Sequence, residues 1–342
     1  MNILYGVCGE GFGHSSRALV IGKYLESKGY RVVIVTYGQA YKVLKNKFKI
    51  FKIKGAHMIF REGILKKRKT LIYNLKNFSS NIRKSKKIYR LMKELKPELC
   101  ISDMEPVVPI LSNWYRLPLI SIDNQHRFSN LKINVPKKYK KDYLMAKEVV
   151  NLFVRRAKYF IVTSFADASV KESKKNTIII PPIIREDVKN LKPKYGNQIL
   201  VYLNKADRKV LDVLGRINEK FVIYGYDVKR KKGNLEFKTR ESFLKELNEC
   251  KAIIATSGFT LISEAIYLRK PYLALPLKGQ FEQVFNSLFL KKAGFGEYSE
   301  ELNEKEVSDF LSNLNKYKIK LRSYNPDYDK LFKALDSVLR EV

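Results

Sequence analysis

The sequence predicts an α/β protein with two Rossmann-like, doubly wound parallel sheets, and three observations carry that prediction. Apolar strand-like runs alternate with amphipathic helical runs along nearly the whole chain, the rhythm of βαβ units. Runs such as YRVVIVTY are almost continuously apolar, as strands covered on both faces are. The rhythm breaks once, at IIIPPIIREDVKNLKPKYGN (178–197), where three prolines and several turn residues interrupt it before it restarts. Two domains suit a chain of 342 residues, since one domain usually takes ~100–200.

In order, NILYGVC reads as a strand, SSRALVIGKYLESKG as a helix stopped by Gly29, and YRVVIVTY as a second strand. Ala40–Asn46 and KIFKIK follow, then a basic helical stretch. ELCISD after Pro97, LPLISIDN and YFIVTS are further strands. After the break come the strands QILVYLN, KFVIYGY, KAIIATS and PYLALPL, with the helices ADRKVLDVLGRIN, SFLKELNEC and TLISEAIYLR between them. The expected domains are 1–185 and 186–326, with a terminal helix, 327–342, crossing back onto the first. Two such domains facing across a cleft would bring the carboxyl ends of both sets of strands to it, where ligands bind in sheets of this kind.

Composition narrows the function. No apolar run reaches the ~18 residues of a membrane span, and the first residues lack the basic start of a signal peptide. Cys8, Cys100 and Cys250 are far apart with no C-x-x-C partner, which suits free buried thiols in a reducing, cytoplasmic setting. The 67 Lys and Arg against 34 Asp and Glu leave a net charge of +33, which attracts anionic partners. Twelve of those basic residues fall between Lys66 and Lys96, over a stripe formed by Leu71, Leu75, Phe78, Ile82, Tyr89, Met92 and Leu95. Such a face suits anionic lipid at the inner face of a cell membrane. Nucleic acid is not expected as a partner, because no recognition module or regular aromatic interleaving accompanies the charge; a nucleic-acid-binding protein stays the rival of another class.

Two stretches carry the chemistry. GEGFGHSSRA (9–18) follows the first strand, but a dinucleotide fingerprint needs glycine at position 14, where His14 stands. The second strand also ends in Thr36–Tyr37, with no acid for a ribose. What remains is a loop in which Gly11 and Gly13 let a ligand approach the backbone beside helix amides, with Ser15 and Ser16 as caps. His14 beside it is a candidate general base, a neighbouring acid being the alternative. In ATSGFTLISEAIYLRKPYLALPLKGQFEQVFNS (255–287), Ser257 and Gly258 end a strand and Thr260 opens a helix, an arrangement suited to phosphate. Glu264 lies one turn further, suited to ribose hydroxyls. Gln280, Glu282, Gln283 and Asn286 sit in a loop entering the next helix, a polar set suited to a sugar. SDMEP and IDNQH end two first-domain strands and bring Asp103, Glu105, Asn124 and His126 as candidates on the acceptor side. No metal-ligand spacing is persuasive, so neither a metal nor a cofactor is expected.

SGFTLISE and EQVFNS, in this order and spacing after GEGFGHSSRALVIGKYLESKGYRVVIVT, resemble the GT-B glycosyltransferases of the MurG type (glycosyltransferase family 28). The resemblance covers both ends of the chain and, in element order, most of it. It implies an inverting, metal-independent transfer of a hexose or N-acetylhexosamine from a UDP-sugar, UDP-GlcNAc-like, to an acceptor hydroxyl, which a lipid could carry. It implies Ser257 and Gly258 on the diphosphate, Glu264 on the ribose, Glu282 and Gln283 on the sugar, and Phe237 over the base. His14 and Asp103 become the catalytic candidates. LNKADR departs from the family, whose corresponding loop is glycine- and serine-rich, so the diphosphate contacts expected there are missing. A UDP-sugar 2-epimerase on the same fold is the rival enzyme.

Overall fold

The computed structural model describes residues 1–55, 86–203, 208–226 and 228–342, together with the backbone of 60–61 and 64–65. The chain divides into two compact units, Met1–Ile183 with Asp327–Val342, and Ile184–Pro326.

The first unit is one parallel sheet of β1 (Asn2–Val7), β2 (Arg31–Thr36), β3 (Lys49–Lys52), β6 (Leu99–Asp103), β7 (Leu119–Asp123), β8 (Tyr159–Thr163) and β9 (Thr177–Ile180). A two-stranded piece, β4 (Phe60–Arg61) and β5 (Ile64–Leu65), lies outside it. The order is β3-β2-β1-β6-β7-β8-β9. Between β2 and β7 the strands are buried almost throughout, because helices cover both faces. The chain winds outward from β1 to β3 and then returns to β6, so the strand order reverses between β1 and β6. A crevice opens at such a reversal. The register Val7↔Asp103 sets the ends of these two strands side by side.

The terminal helix Lys330–Arg340 buries Leu331, Leu335 and Val338, one stripe at helical spacing, in the core of this unit. The basic stretch is described only from Lys86; its earlier residues lie outside the described ones, as does His57. In the helix Lys86–Leu95, Ile88, Leu91, Met92 and Leu95 face inward, while Tyr89 is 64% exposed. The expected stripe through Tyr89 is therefore corrected by one position, and Lys86, Lys87, Arg90 and Lys93 stay on the outside.

The second unit repeats the plan with β10 (Ile199–Tyr202), β11 (Phe221–Tyr224), β12 (Arg230–Lys232), β13 (Leu235–Phe237), β14 (Ala252–Thr256), β15 (Tyr272–Leu275) and β16 (Gly296–Tyr298). Its order is β12-β13-β11-β10-β14-β15-β16, parallel except for the β12–β13 pair. The reversal here falls between β10 and β14. Four short strands, β9, β12, β13 and β16, were not expected: each has three or four residues, too few for a period to register.

Candidate functional site

At the reversal of the first sheet, α1 (Phe12–Ser27) starts two residues earlier than His14. Its N-cap is Gly11 at φ 76, which an L side chain rarely adopts, and no side chain caps it. Gly9 is needed for a different reason: an added Cβ would lie 2.5 Å from the Tyr37 carbonyl oxygen. Gly13 lies inside the helix. Ser15 and Ser16 are inside too, and Ser15 Oγ donates to the Phe12 carbonyl, so the expectation of serine caps is corrected.

The early start puts His14 on the first turn, with its side chain 14% exposed. Its Nδ1 lies 2.7 Å from Asp103 Oδ1. Asp103 is wholly buried at the end of β6. Just beyond it, Met104 takes φ 52, a left-handed turn that is uncommon outside glycine and ends the strand sharply. Arg17, one turn along α1, grips the same carboxylate. Its Nε donates to Oδ2 at 2.8 Å and its Nη2 to Oδ1 at 2.6 Å, while Nη1 donates to Asn124 Oδ1 at 3.1 Å. Burial pulls the Arg17 guanidinium down, but the charge and hydrogen bonds of Asp103 outweigh this and hold it firmly protonated. In the tautomer with its hydrogen on Nδ1, the imidazole donates to this carboxylate and Nε2 carries the lone pair. That is the tautomer of a general base.

Of the acceptor-side candidates, Asn124 joins this network through Arg17. Glu105 turns inward: its carboxylate accepts from the amides of Val107 and Val108 and caps the helix Val107–Tyr115. Burial pushes Glu105 up to about 7, against the pull of those amides. His126 is 1% exposed, with its ring on Phe160 and its Nδ1 2.6 Å from Asp123 Oδ2. Burial pushes Asp123 up, but His126 outweighs it and holds the carboxyl at about 2. Glu105 and His126, like Asn124, are buried within this unit.

At the reversal of the second sheet, Ser257 and Gly258 follow β14 and the helix Phe259–Tyr267 begins, with no side-chain cap and with Thr260 on its first turn. A Cβ added to Gly258 would meet nothing within 4 Å, so packing does not demand this glycine and space lies in front of it. Ser257 itself is buried. Its Oγ accepts from Ser287 Oγ at 2.7 Å and its carbonyl from Asn286 Nδ2 at 2.9 Å. Asn286 is therefore a buried strut, not a loop residue, because the helix Phe281–Ala293 has already begun five residues before it. Gln280 is that helix's N-cap, and Glu282 and Gln283 lie on its first turn. Gln283 Nε2 donates to Gln280 Oε1 at 2.9 Å, and its Oε1 accepts from the Leu277 amide.

Glu264 is buried and meets Arg185, whose Nε donates to Oε1 at 2.7 Å and Nη2 to Oε2 at 3.3 Å. Burial raises the Glu264 carboxyl, with Arg185 opposing. Phe237 is 3% exposed in the core of the unit, and Arg230 lies over its ring at 4.4 Å. It lines a cavity of about 390 Å³ with Lys238, Thr239 and Ser242. Residues 204–207 of LNKADR lie outside the described ones. Cys8, Cys100 and Cys250 are free and buried, and burial pushes each thiol up to about 12. Among the described residues no helix is long and apolar enough to cross a membrane, and no three His, Cys, Asp or Glu side chains are grouped to hold a metal ion.

Arg17 and Arg185 were missed by sequence reasoning. Arg17 had a signal: it is the one charged residue among Ala18, Ile21 and Leu25 on the buried face of α1. Arg185, among prolines and charges in the junction, had none.

The model of a sequence family described as Glycosyl transferase family 1 matches residues 1–315. A protein described as an uncharacterized glycosyltransferase from Methanosarcina acetivorans is 24% identical over 325 residues, covering 86% of this chain and 85% of its own length. Among solved structures, CalG4, the calicheamicin glycosyltransferase, superposes with a TM-score of 0.69 at 13% identity, covering 100% of this chain and 98% of its own. The spinosyn rhamnosyltransferase SpnG complexed with thymidine diphosphate gives 0.64 at 12% identity, over 98% and 100%. These likenesses show that the fold is GT-B.

Proposed function

We propose, from the premise that this chain belongs to glycosyl transferase family 1, that it moves a sugar from a nucleoside-diphosphate donor to an acceptor hydroxyl with inversion. The observation that carries the reading is the His14–Asp103 pair on a glycine-started helix at a sheet reversal. His14 Nε2 takes the proton of the acceptor hydroxyl as that oxygen attacks the anomeric carbon. The bond from that carbon to the diphosphate oxygen breaks, and the nucleoside diphosphate leaves with the electron pair. Helix-terminal amides offset the charge that develops on it.

The donor belongs to the second unit. Ser257, Gly258 and Thr260 open an uncapped helix, whose end favours a diphosphate. The open space before Gly258 supports that assignment. Glu264 takes the ribose hydroxyls, exchanging hydrogen bonds with Arg185 to do so. Gln280, Glu282 and Gln283 take the sugar, and the cavity beside Phe237 takes the base. The likeness to the MurG type favours UDP and a GlcNAc-like hexose. The nucleotide named in the SpnG complex, thymidine diphosphate, favours a dTDP-sugar as the second reading. The acceptor is a hydroxyl on a lipid-linked or other anionic molecule, a class favoured by the +33 charge and by the outer basic face of the helix Lys86–Leu95.

Calorimetric titration with UDP and dTDP tests the donor assignment. One of the two binds with a saturable heat, and its sugar conjugate binds at the same stoichiometry. Heats at the level of dilution for both would remove the donor assignment.

A further inference from the structure

We propose that Arg17 is a positioning residue for the His14–Asp103 pair: by neutralising Asp103 it leaves His14 free to give up its proton and act as a base. The proposal rests on His14 being the base, and it goes beyond that reading by assigning to Arg17 the matching of the Asp103 charge beside it.

Arg17 lies on the buried face of α1 with Ala18, Ile21 and Leu25, the one charged side chain among them. A buried ion pair is weak evidence of stabilisation, because taking both charges out of water offsets most of their attraction. The geometry fits the carboxylate closely. Nε and Nη2 take one oxygen of Asp103 each, in the two-pronged match that only a guanidinium makes. Nη1 is fixed by Asn124 Oδ1 at 3.1 Å, so all three guanidinium nitrogens are engaged within this cluster.

Asp103 Oδ1 therefore receives two donors, Arg17 Nη2 at 2.6 Å and His14 Nδ1 at 2.7 Å. Arg17 Nη2 also lies 3.1 Å from His14 Nδ1. With the ring hydrogen assigned to Nδ1 and directed at Asp103 Oδ1, the guanidinium donates to the carboxylate rather than to the ring. Without Arg17, the buried carboxylate would have only the imidazole as a charged partner. It would then hold the ring as imidazolium, with no lone pair at Nε2. With Arg17 the negative charge is already matched, and the ring orients on Asp103 through a hydrogen bond. Other titratable groups acting on this cluster are Tyr5 from β1, Cys8 just beyond it and Asp123 from β7. Glu10 lies in the loop before α1.

The chain has three histidines, His14, His57 and His126, so the ring carbon signals of a ¹³C-histidine-labelled protein can be assigned by replacing each in turn. The His14 signal is followed against pH in the intact chain and in Arg17→Gln and Arg17→Lys. In Arg17→Gln its midpoint moves upward by ~1–3 pH units, the range for a carboxylate left to act on a neighbouring base. Arg17→Lys keeps the charge and loses the fork, so its midpoint rises by less. An unchanged or lowered midpoint in Arg17→Gln overturns the proposal. Should Arg17→Gln not fold, as judged by circular dichroism, Arg17→Met, which also removes the charge, carries the test, and an unmoved midpoint there overturns it equally. The readout needs neither donor nor acceptor. A His14→Ala variant that transfers sugar at full rate would remove the base reading, whereas a fixed midpoint removes only the role of Arg17.

Discussion

Glu264 shows what a single side chain contributes. In the structure its carboxylate is held by Arg185, and burial raises it. Replacing it with alanine removes the ribose contacts proposed for it and leaves Arg185 with Asp187 as its remaining carboxylate. Glu264→Ala is expected to weaken binding of the donor nucleotide by ~1–3 kcal/mol, the scale of lost hydrogen bonds to a charged group. Unchanged affinity in calorimetry would place the ribose elsewhere. Much of this residue chemistry was legible in the sequence. His14 and Glu264 stand out because a histidine interrupts a glycine run and an acid sits one turn inside a helix after Ser-Gly. The pairing of His14 with Asp103 was not legible. It depends on a contact across 89 positions that strand register alone creates. Nor could residue type separate Asn124, which joins that network, from His126, which pairs with Asp123 instead.

The helices and strands place these residues, and their ends were the least legible part. The strand β6 and the helix Val107–Tyr115 are joined by Glu105, whose carboxylate is the helix cap. Its pH behaviour follows from burial, which lifts it from the ordinary 4.5 to about 7. The folded state then holds a proton that the unfolded chain has lost throughout that window. The stability this group contributes is complete below the ordinary value and is lost as pH rises through the folded one. Denaturant titrations should show unfolding free energy falling between about pH 4.5 and 7, with a slope of up to ~1.4 kcal/mol per pH unit for one proton. Glu105→Gln should flatten that slope. Asp123, held at about 2, works in the opposite sense, its contribution being lost only under strong acid. A slope that persists in Glu105→Gln would assign it to another group. The serine caps expected for α1 failed for a related reason. Gly11, with its positive φ, starts the helix without a side chain, so it begins ahead of the residues that look like caps.

At the scale of the whole molecule, the two-sheet plan was legible because the βα rhythm repeats and stops once, at a proline-rich stretch. The terminal helix joins the first unit's core through Leu331, Leu335 and Val338. The family follows from a match over residues 1–315. The net charge of +33 draws anions without selecting one, and its effect fades with salt. In the function proposed, selection rests instead on the two sheet reversals, one bearing His14 and Asp103 and the other Ser257, Gly258 and Glu264.

Acceptor-dependent release of nucleoside diphosphate tests the central claim most directly. Wild type and His14→Ala are incubated with UDP- and dTDP-sugars and a panel of lipid and small hydroxyl acceptors, and products are weighed by mass spectrometry. Wild type should release diphosphate only with an acceptor and yield a product heavier by one sugar residue. His14→Ala should bind donor normally and lose ~10²–10⁴-fold in rate, the usual contribution of a general base. A changed sugar formed with no acceptor present, or full transfer by His14→Ala, would contradict the account.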